Sequence, residues 1–105
     1  MATTIVDDQN PYHEITVSAG SVHYLDTAAV ANPRRELSIS RLPGSGGKTQ
    51  IDETLDDHGG TVGDTLYWVA GNAVARSTNT LDRLDYTALR LSAVDADATF
   101  VIKLW

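Results

Sequence analysis

Apolar and polar side chains alternate with a period of two along much of the chain, the repeat of strands that bury one face. The pattern is clearest near the C-terminal end. There Leu89, Leu91 and Ala93 alternate with Arg90 and Ser92, and Phe100, Ile102 and Leu104 alternate with Thr99, Val101 and Lys103. Asp95-Ala96-Asp97 lies between the two runs, and aspartate suits turns because its carboxylate bonds nearby backbone amides. The spacing predicts a β-hairpin over the last twenty residues, 86–105, with each strand keeping one face for a core. An ending in Leu104-Trp105 with no polar tail implies that these residues are paired and packed.

Upstream, Ile15, Val17 and Ala19 alternate with Glu14, Thr16 and Ser18, and Gly20-Ser21 interrupts before Val22 to Leu25. Two short strands joined by a tight turn or bulge at Gly20 fit this best. Residues 26–32 read as a loop crossing between sheets, because Asn32-Pro33 closes Thr27 to Ala31 too soon for a helix. Glu36 to Leu42 alternates with Leu37 and Ile39 inward. After Pro43 to Gly47 the pattern resumes from Lys48 to Leu55 around Ile51, so the pair is expected to form a hairpin. A helical turn over Gln50 to Asp57 is the alternative. Asp56 to Asp64 is a long loop, and Thr65 to Ala70 has the aromatic and β-branched content of a strand, with Trp68 inward and Tyr67 outward. Gly71-Asn72 is a turn, Ala73 to Arg76 a short return strand, and Ser77 to Arg83 leads back to the terminal pair.

About seven or eight short antiparallel strands and no long helix predict an all-β fold, a β-sandwich or jelly-roll-like barrel. Residues 13–105 would make that domain. Residues 1–12 lack periodicity and reach a turn signal at Asn10-Pro11, so they read as an N-terminal arm, loose or lying across another subunit.

Composition narrows the function more than it names it. A chain of 105 residues is the size of one domain, and with no cysteine it has neither disulfides nor thiolate metal sites to reinforce its core. A formal charge of −6 argues against nucleic acid and anionic membrane partners. Six of the eight basic residues are arginine, which favours paired contacts with carboxylates at protein surfaces. No secretory signal or membrane-length apolar run is visible, so synthesis in the cytoplasm is expected. Candidate subunit contacts are Ile5, Val6 and Tyr12 in the arm, the outward Tyr67, and the arginines Arg34, Arg35 and Arg76.

Chemical motifs are weak. Gly44 to Thr49 has the glycines and lysine of a phosphate loop, but the spacing puts Leu42 where the first glycine belongs. Asp52, Glu53, Asp56, Asp57 and Asp64 with His58 offer oxygen ligands for calcium, yet lack the regular spacing of a calcium loop. Three histidines and many serines stand without a nucleophile elbow. The reading is therefore of no catalytic, cofactor or metal residue, and of a protein that is not an enzyme.

Thr87 to Ala93, a short turn, and an alternating strand to the last residue resemble the endings of small β-rich virion proteins of tailed bacteriophages, and Ile15 to Gly20 has the same character. Asp95-Ala96-Asp97 departs from the glycine usual at that turn. The resemblance implies a non-enzymatic virion structural protein, a capsid decoration or head-tail accessory subunit. Its partners would be other virion proteins and further copies of itself, and its location the virion. A carbohydrate or receptor-binding module using Tyr67 or Trp68 is the alternative.

Overall fold

The computed structural model describes residues 2–30, 36–42, 47–70, 79–82 and 87–104. Among these residues there is no helix, and nine strands form: β1 (Ala2–Ile5), β2 (Tyr12–Val17), β3 (Val22–Asp26), β4 (Glu36–Arg41), β5 (Thr49–Thr54), β6 (Val69–Ala70), β7 (Asn79–Asp82), β8 (Ala88–Ala93) and β9 (Ala98–Leu104). They make a five-stranded sheet in the order β1-β3-β8-β5-β6 and a four-stranded sheet in the order β2-β9-β4-β7. The fold is all-β, as the alternation predicts.

The apolar rows of both sheets meet in one buried cluster. Leu25, Ile51, Leu89, Leu91 and Ala93 come from the five-stranded sheet, and Ile15, Val17, Leu37, Ile39, Phe100 and Ile102 from the four-stranded one. β8 and β9 both hold inner positions, each with a neighbour on both sides.

Pairing departs from expectation at each predicted hairpin that the described residues cover. β8 pairs with β3 and β5, whereas β9 pairs with β2 and β4, so the terminal strands belong to different sheets. The same holds for β2 with β3 and for β4 with β5; of successive described strands, only β5 and β6 share a sheet. The physical reason lies in the apolar rows. A hairpin of β8 and β9 would set both rows side by side on one face with nothing over them, whereas facing sheets let each row cover the other. β3 and β4 lie in different sheets, in keeping with the change of sheet expected between them.

The aspartates between β8 and β9 do bond backbone amides, but those of neighbouring crossings. Asp97 Oδ1 accepts from the amide of Ala19 at 2.9 Å and Asp95 Oδ1 from that of Lys48 at 2.7 Å. Gly20 N donates to Ala93 O at 2.8 Å, and Val94 N to Lys48 O at 2.9 Å, so three crossings are tied together at one end. Gly20 has a φ of 77°, a left-handed conformation that glycine adopts without a Cβ clash. At Gly47 a Cβ would land on the Asp95 carboxylate. Gly47→Ala is therefore expected to push that carboxylate off Lys48 N and cost about 1–2 kcal/mol, read as a lowered urea midpoint.

Within the segment expected as an arm, residues 2–6 pack onto the five-stranded sheet. β1 adds to β3 in parallel, with Ala2 opposite His23 and Ile5 opposite Asp26, the one departure from antiparallel pairing among the described strands. Val6 follows, donating to Asp26 O at 2.9 Å and sitting fully buried in the main cluster. A turn then reverses the chain, with Asp7 Oδ1 accepting from the amides of Gln9 and Asn10, both at 2.9 Å. Four residues of strand are too few to show a period, which hid β1 from sequence reasoning.

Other differences are local. Residues 49–54 are strand as expected, not the alternative helical turn, whereas only Val69–Ala70 of the segment 65–70 is strand, and 79–82, read as connection, pairs with β4 as β7. The return strand at 73–76 and Trp105 lie outside the described residues. Leu104 is buried and donates from its amide to Pro11 O at 2.7 Å, so the end of β9 is paired and packed.

Candidate functional site

With Leu25, Leu89 and Ile51 turned to the core, the alternate residues of β3, β8 and β5 face outward. Tyr24, Arg90 and Asp52 fall in one cross-strand row. The long connection from β5 to β6 lies over this outer face. Its Val62, Leu66 and Trp68 pack with Val22, Tyr24 and Ala88 into a second, smaller apolar cluster.

Arg90 organises the charges beneath that connection. Its Nε and Nη2 donate to Asp52 Oδ2 at 3.0 and 2.8 Å, and its Nη1 donates to Asp64 Oδ1 at 2.9 Å. The Tyr24 hydroxyl donates to the same Asp64 oxygen. Trp68 closes the group. The Arg90 guanidinium carbon lies 4.9 Å from the Trp68 ring centroid, within cation–π range, and the Tyr24 ring lies 5.7 Å away at a tilt of 32°. The indole N–H donates to Gly63 O at 2.9 Å, so the tryptophan is held at both its face and its edge.

A second pin lies at His58. Gly60 N donates to its Nδ1 at 3.0 Å, which leaves Nε2 to donate to Thr87 O at 3.1 Å and to lie 3.2 Å from Asp26 Oδ1. Both ring nitrogens are thus engaged by the fold, and the side chain is almost wholly buried. Thr87 Oγ1 adds a bond to Asp56 O at 2.6 Å, and Asp56 Oδ2 accepts from Tyr67 N at 2.7 Å.

These contacts move the titrations of the groups involved. Burial, then the hydrogen bond and charge of Asp64, push the Tyr24 phenol up to about 12. The Tyr24 hydrogen bond, followed by that of Arg90, holds Asp64 below the usual carboxylate range. Burial works against the Arg90 charge, but the bonds to Asp52 and Asp64 raise its pKa above the ordinary arginine value. In an ultraviolet titration Tyr24 is expected to ionise near pH 12, against an ordinary tyrosine value of 10.0. A raised folded pKa favours the protonated phenol. Its stabilising contribution is therefore complete below pH 10 and lost as pH rises from there through about 12. A Tyr24→Phe chain lacking that late phase would assign it.

Elsewhere, burial and then the neighbouring His13 lower the pKa of His23, whose Nε2 lies 2.7 Å from Thr4 Oγ1 across β1 and β3. Neutral His23 is the form the fold prefers.

The arrangement is suited to fixing a long connection onto a sheet. Asp52 and Asp64, two of the candidate calcium ligands, are ion-paired to Arg90; Asp56 and Asp57 cap the amides of Tyr67 and Gly59; and His58 is enclosed. Among the described residues, no three histidine, aspartate or glutamate side chains converge to hold a metal ion.

The candidate contact residues separate. Ile5, Tyr12 and Tyr67 are exposed, and Val6 is instead a core residue, because it continues the pairing of β1 with β3, its amide donating to Asp26 O. Arg34, Arg35 and Arg76 lie outside the described residues. Tyr67 is exposed, while Trp68 turns in toward the smaller outer cluster rather than the main core. Sequence reasoning did not assemble Tyr24, Asp52, Asp64 and Arg90. Alternation placed Arg90 outward, but its partners lie 38 and 26 residues away, and no local spacing links them.

No protein-family model, curated protein or solved structure matches the chain.

Proposed function

We propose that the chain is a non-enzymatic virion structural subunit, a capsid decoration or head-tail accessory protein acting through repeated protein contacts. Strand order is the observation that carries this reading. Counted as eight successive strands, β2 to β9 lie in the orders 1-8-3-6 and 2-7-4-5, which supports reading the two sheets as a jelly roll with β1 added at one edge. Jelly rolls recur in viral capsid and lectin domains, and a fold alone does not choose between those uses.

The side chains favour adhesion. Arginine, histidine and four of the acidic groups are committed to holding the outer connection, while Ile5, Tyr12, Leu55, Tyr67 and Val69 stand exposed. Contacts of that kind add through repetition on a symmetric shell. Ile5, Tyr12 and Tyr67 are the described candidates for meeting neighbours, in other virion proteins or further copies of the chain.

A carbohydrate-binding module is the second reading, and the 73% exposure of Tyr67 favours it. Trp68 counts against it, since Arg90 and Tyr24 already pack on its ring.

Mass spectrometry of purified phage particles from a lysate of the encoding cells tests the first reading. The chain is expected among the particle proteins, in many copies. Its absence from particles, together with glycan-array binding abolished by Tyr67→Ala, would replace that reading with the second.

A further inference from the structure

We propose that the free edge of β2 is a docking site for an extended segment of a partner protein, which adds to the four-stranded sheet as a further strand and sets a lysine or arginine opposite Glu14. β2 lies at the end of that sheet, with β9 as its neighbour. The ladder settles which of its backbone groups are left over. Leu104 N donates to Pro11 O at 2.7 Å, and Tyr12 stands opposite Lys103, so Pro11 and Leu104 are a directly opposed, hydrogen-bonded pair. Along an antiparallel ladder such pairs alternate with pairs that exchange no bond. His13, Ile15 and Val17 therefore bond to β9, and the amides and carbonyls of Tyr12, Glu14 and Thr16 point away from it. Thr99, opposite Thr16, agrees with this phase, since its carbonyl accepts from Leu42 N at 2.9 Å on the far side of β9. Among the described residues no hydrogen bond reaches the outward backbone groups of Tyr12, Glu14 and Thr16, and all three residues are exposed.

Open edges are ordinarily blunted by shortness, proline, lysine or a bulge. The other strands at sheet ends are short, with four residues in β1 and in β7 and two in β6. β2 has six, contains neither proline nor lysine, and runs against β9 without a bulge. Register and charge choose the occupant. A second copy paired about a two-fold axis, in the register that engages Tyr12, Glu14 and Thr16 of both chains, would set Glu14 directly against Glu14 on one face, where like charges repel. A cation at that place on a different chain replaces the repulsion by an ion pair, on a protein whose formal charge is −6. The residues flanking that cation fall on the face of His13 and Ile15, and Ile15 belongs to the main apolar cluster, so apolar side chains suit those positions. Backbone bonds then give affinity and the alternate side chains give specificity. This inference rests on the reading of the chain as a subunit that works through protein contacts, and it names the chemistry of one contact.

The test is amide hydrogen exchange of the isotopically labelled full chain, read by NMR in the presence of short peptides. One peptide alternates valine with threonine around a central lysine, and a second carries glutamate in place of the lysine. A third is the lysine peptide N-methylated at the alternate amides that would bond to β2. The lysine peptide at about millimolar concentration is expected to slow exchange at Tyr12, Glu14 and Thr16 about tenfold, and the N-methylated peptide to leave it unchanged. Glu14→Lys is expected to reverse the order of the lysine and glutamate peptides. Thr16→Pro removes an edge amide without touching the ladder to β9, and is expected to keep the fold, read as the melting temperature, while weakening the lysine peptide about tenfold. Protection that is absent or centred elsewhere, or equal binding of the glutamate or the N-methylated peptide, would overturn the proposal. So would concentration-dependent protection of the same amides in the chain alone, which would make the occupant a second copy. Exchange is measured on the purified chain, so a negative result leaves the particle assay to judge the subunit role separately.

Discussion

Phe100→Ala is expected to lower stability by about 3–5 kcal/mol, the cost of deleting a buried aromatic ring and leaving a cavity in its place. Phe100 is fully buried and sits on β9 between β2 and β4, in register with Ile15 on one side and Arg41 on the other. Its ring belongs to the cluster that both sheets share, so neither can close over the gap alone. Small domains are stable by only about 5–15 kcal/mol, so a large share of the total is at stake. Urea unfolding followed by far-ultraviolet circular dichroism reads the effect. Leu91→Ala, in the same cluster but from the other sheet, is expected to cost about 2–4 kcal/mol by the same mechanism. A loss below about 0.5 kcal/mol at either position, a surface-like value, would mean that the inward faces are wrongly assigned.

Arg90→Ala is expected to cost about 2–3 kcal/mol, and for a different reason. Asp52 is only 8% exposed and takes two guanidinium hydrogen bonds, so truncation leaves a shielded carboxylate without that counter-charge. Trp68 loses the cation on its ring at the same time. Arg90→Lys should recover little, because an ammonium cannot reproduce the fork that reaches both Asp52 and Asp64. Arg90→Met combined with Asp52→Leu should recover most of the loss, since an apolar pair of similar volume can replace a shielded ion pair. Urea midpoints of the four chains, with near-ultraviolet circular dichroism to follow Trp68, decide the matter. Equal stability of wild type and Arg90→Ala would show that the outer connection is held by its apolar cluster alone.

Strand positions were legible where alternation runs for several residues, as at Leu37 and Ile39 or at Phe100, Ile102 and Leu104. Partners were not. Alternation states which face of a strand is buried but not which strand lies beside it, and Asp95-Ala96-Asp97 suits a crossing between sheets as well as a reversal within one. β1 was too short to show a period, and Val6 was taken as a candidate subunit contact because nothing local reveals the pairing with β3 that buries it. The segment from Thr65 was read as strand for its aromatic content, whereas Leu66 and Trp68 serve to cover Tyr24 and Ala88. The Arg90 group was hidden for a related reason: a cross-strand row is set by register, and register is the property that a single sequence specifies least visibly.

The alternation of successive strands between the two sheets also governs how the chain reaches its native state. Apart from β5 with β6, no pairing among the described strands joins sequence neighbours. No hairpin can therefore zip first and template the remainder, and distant segments must meet before any ladder rewards the loss of chain entropy. Refolding from urea should accordingly fall in the slow class of all-β domains, milliseconds to seconds rather than microseconds. A peptide of the last twenty residues, however regular its pattern, should stay unstructured in isolation.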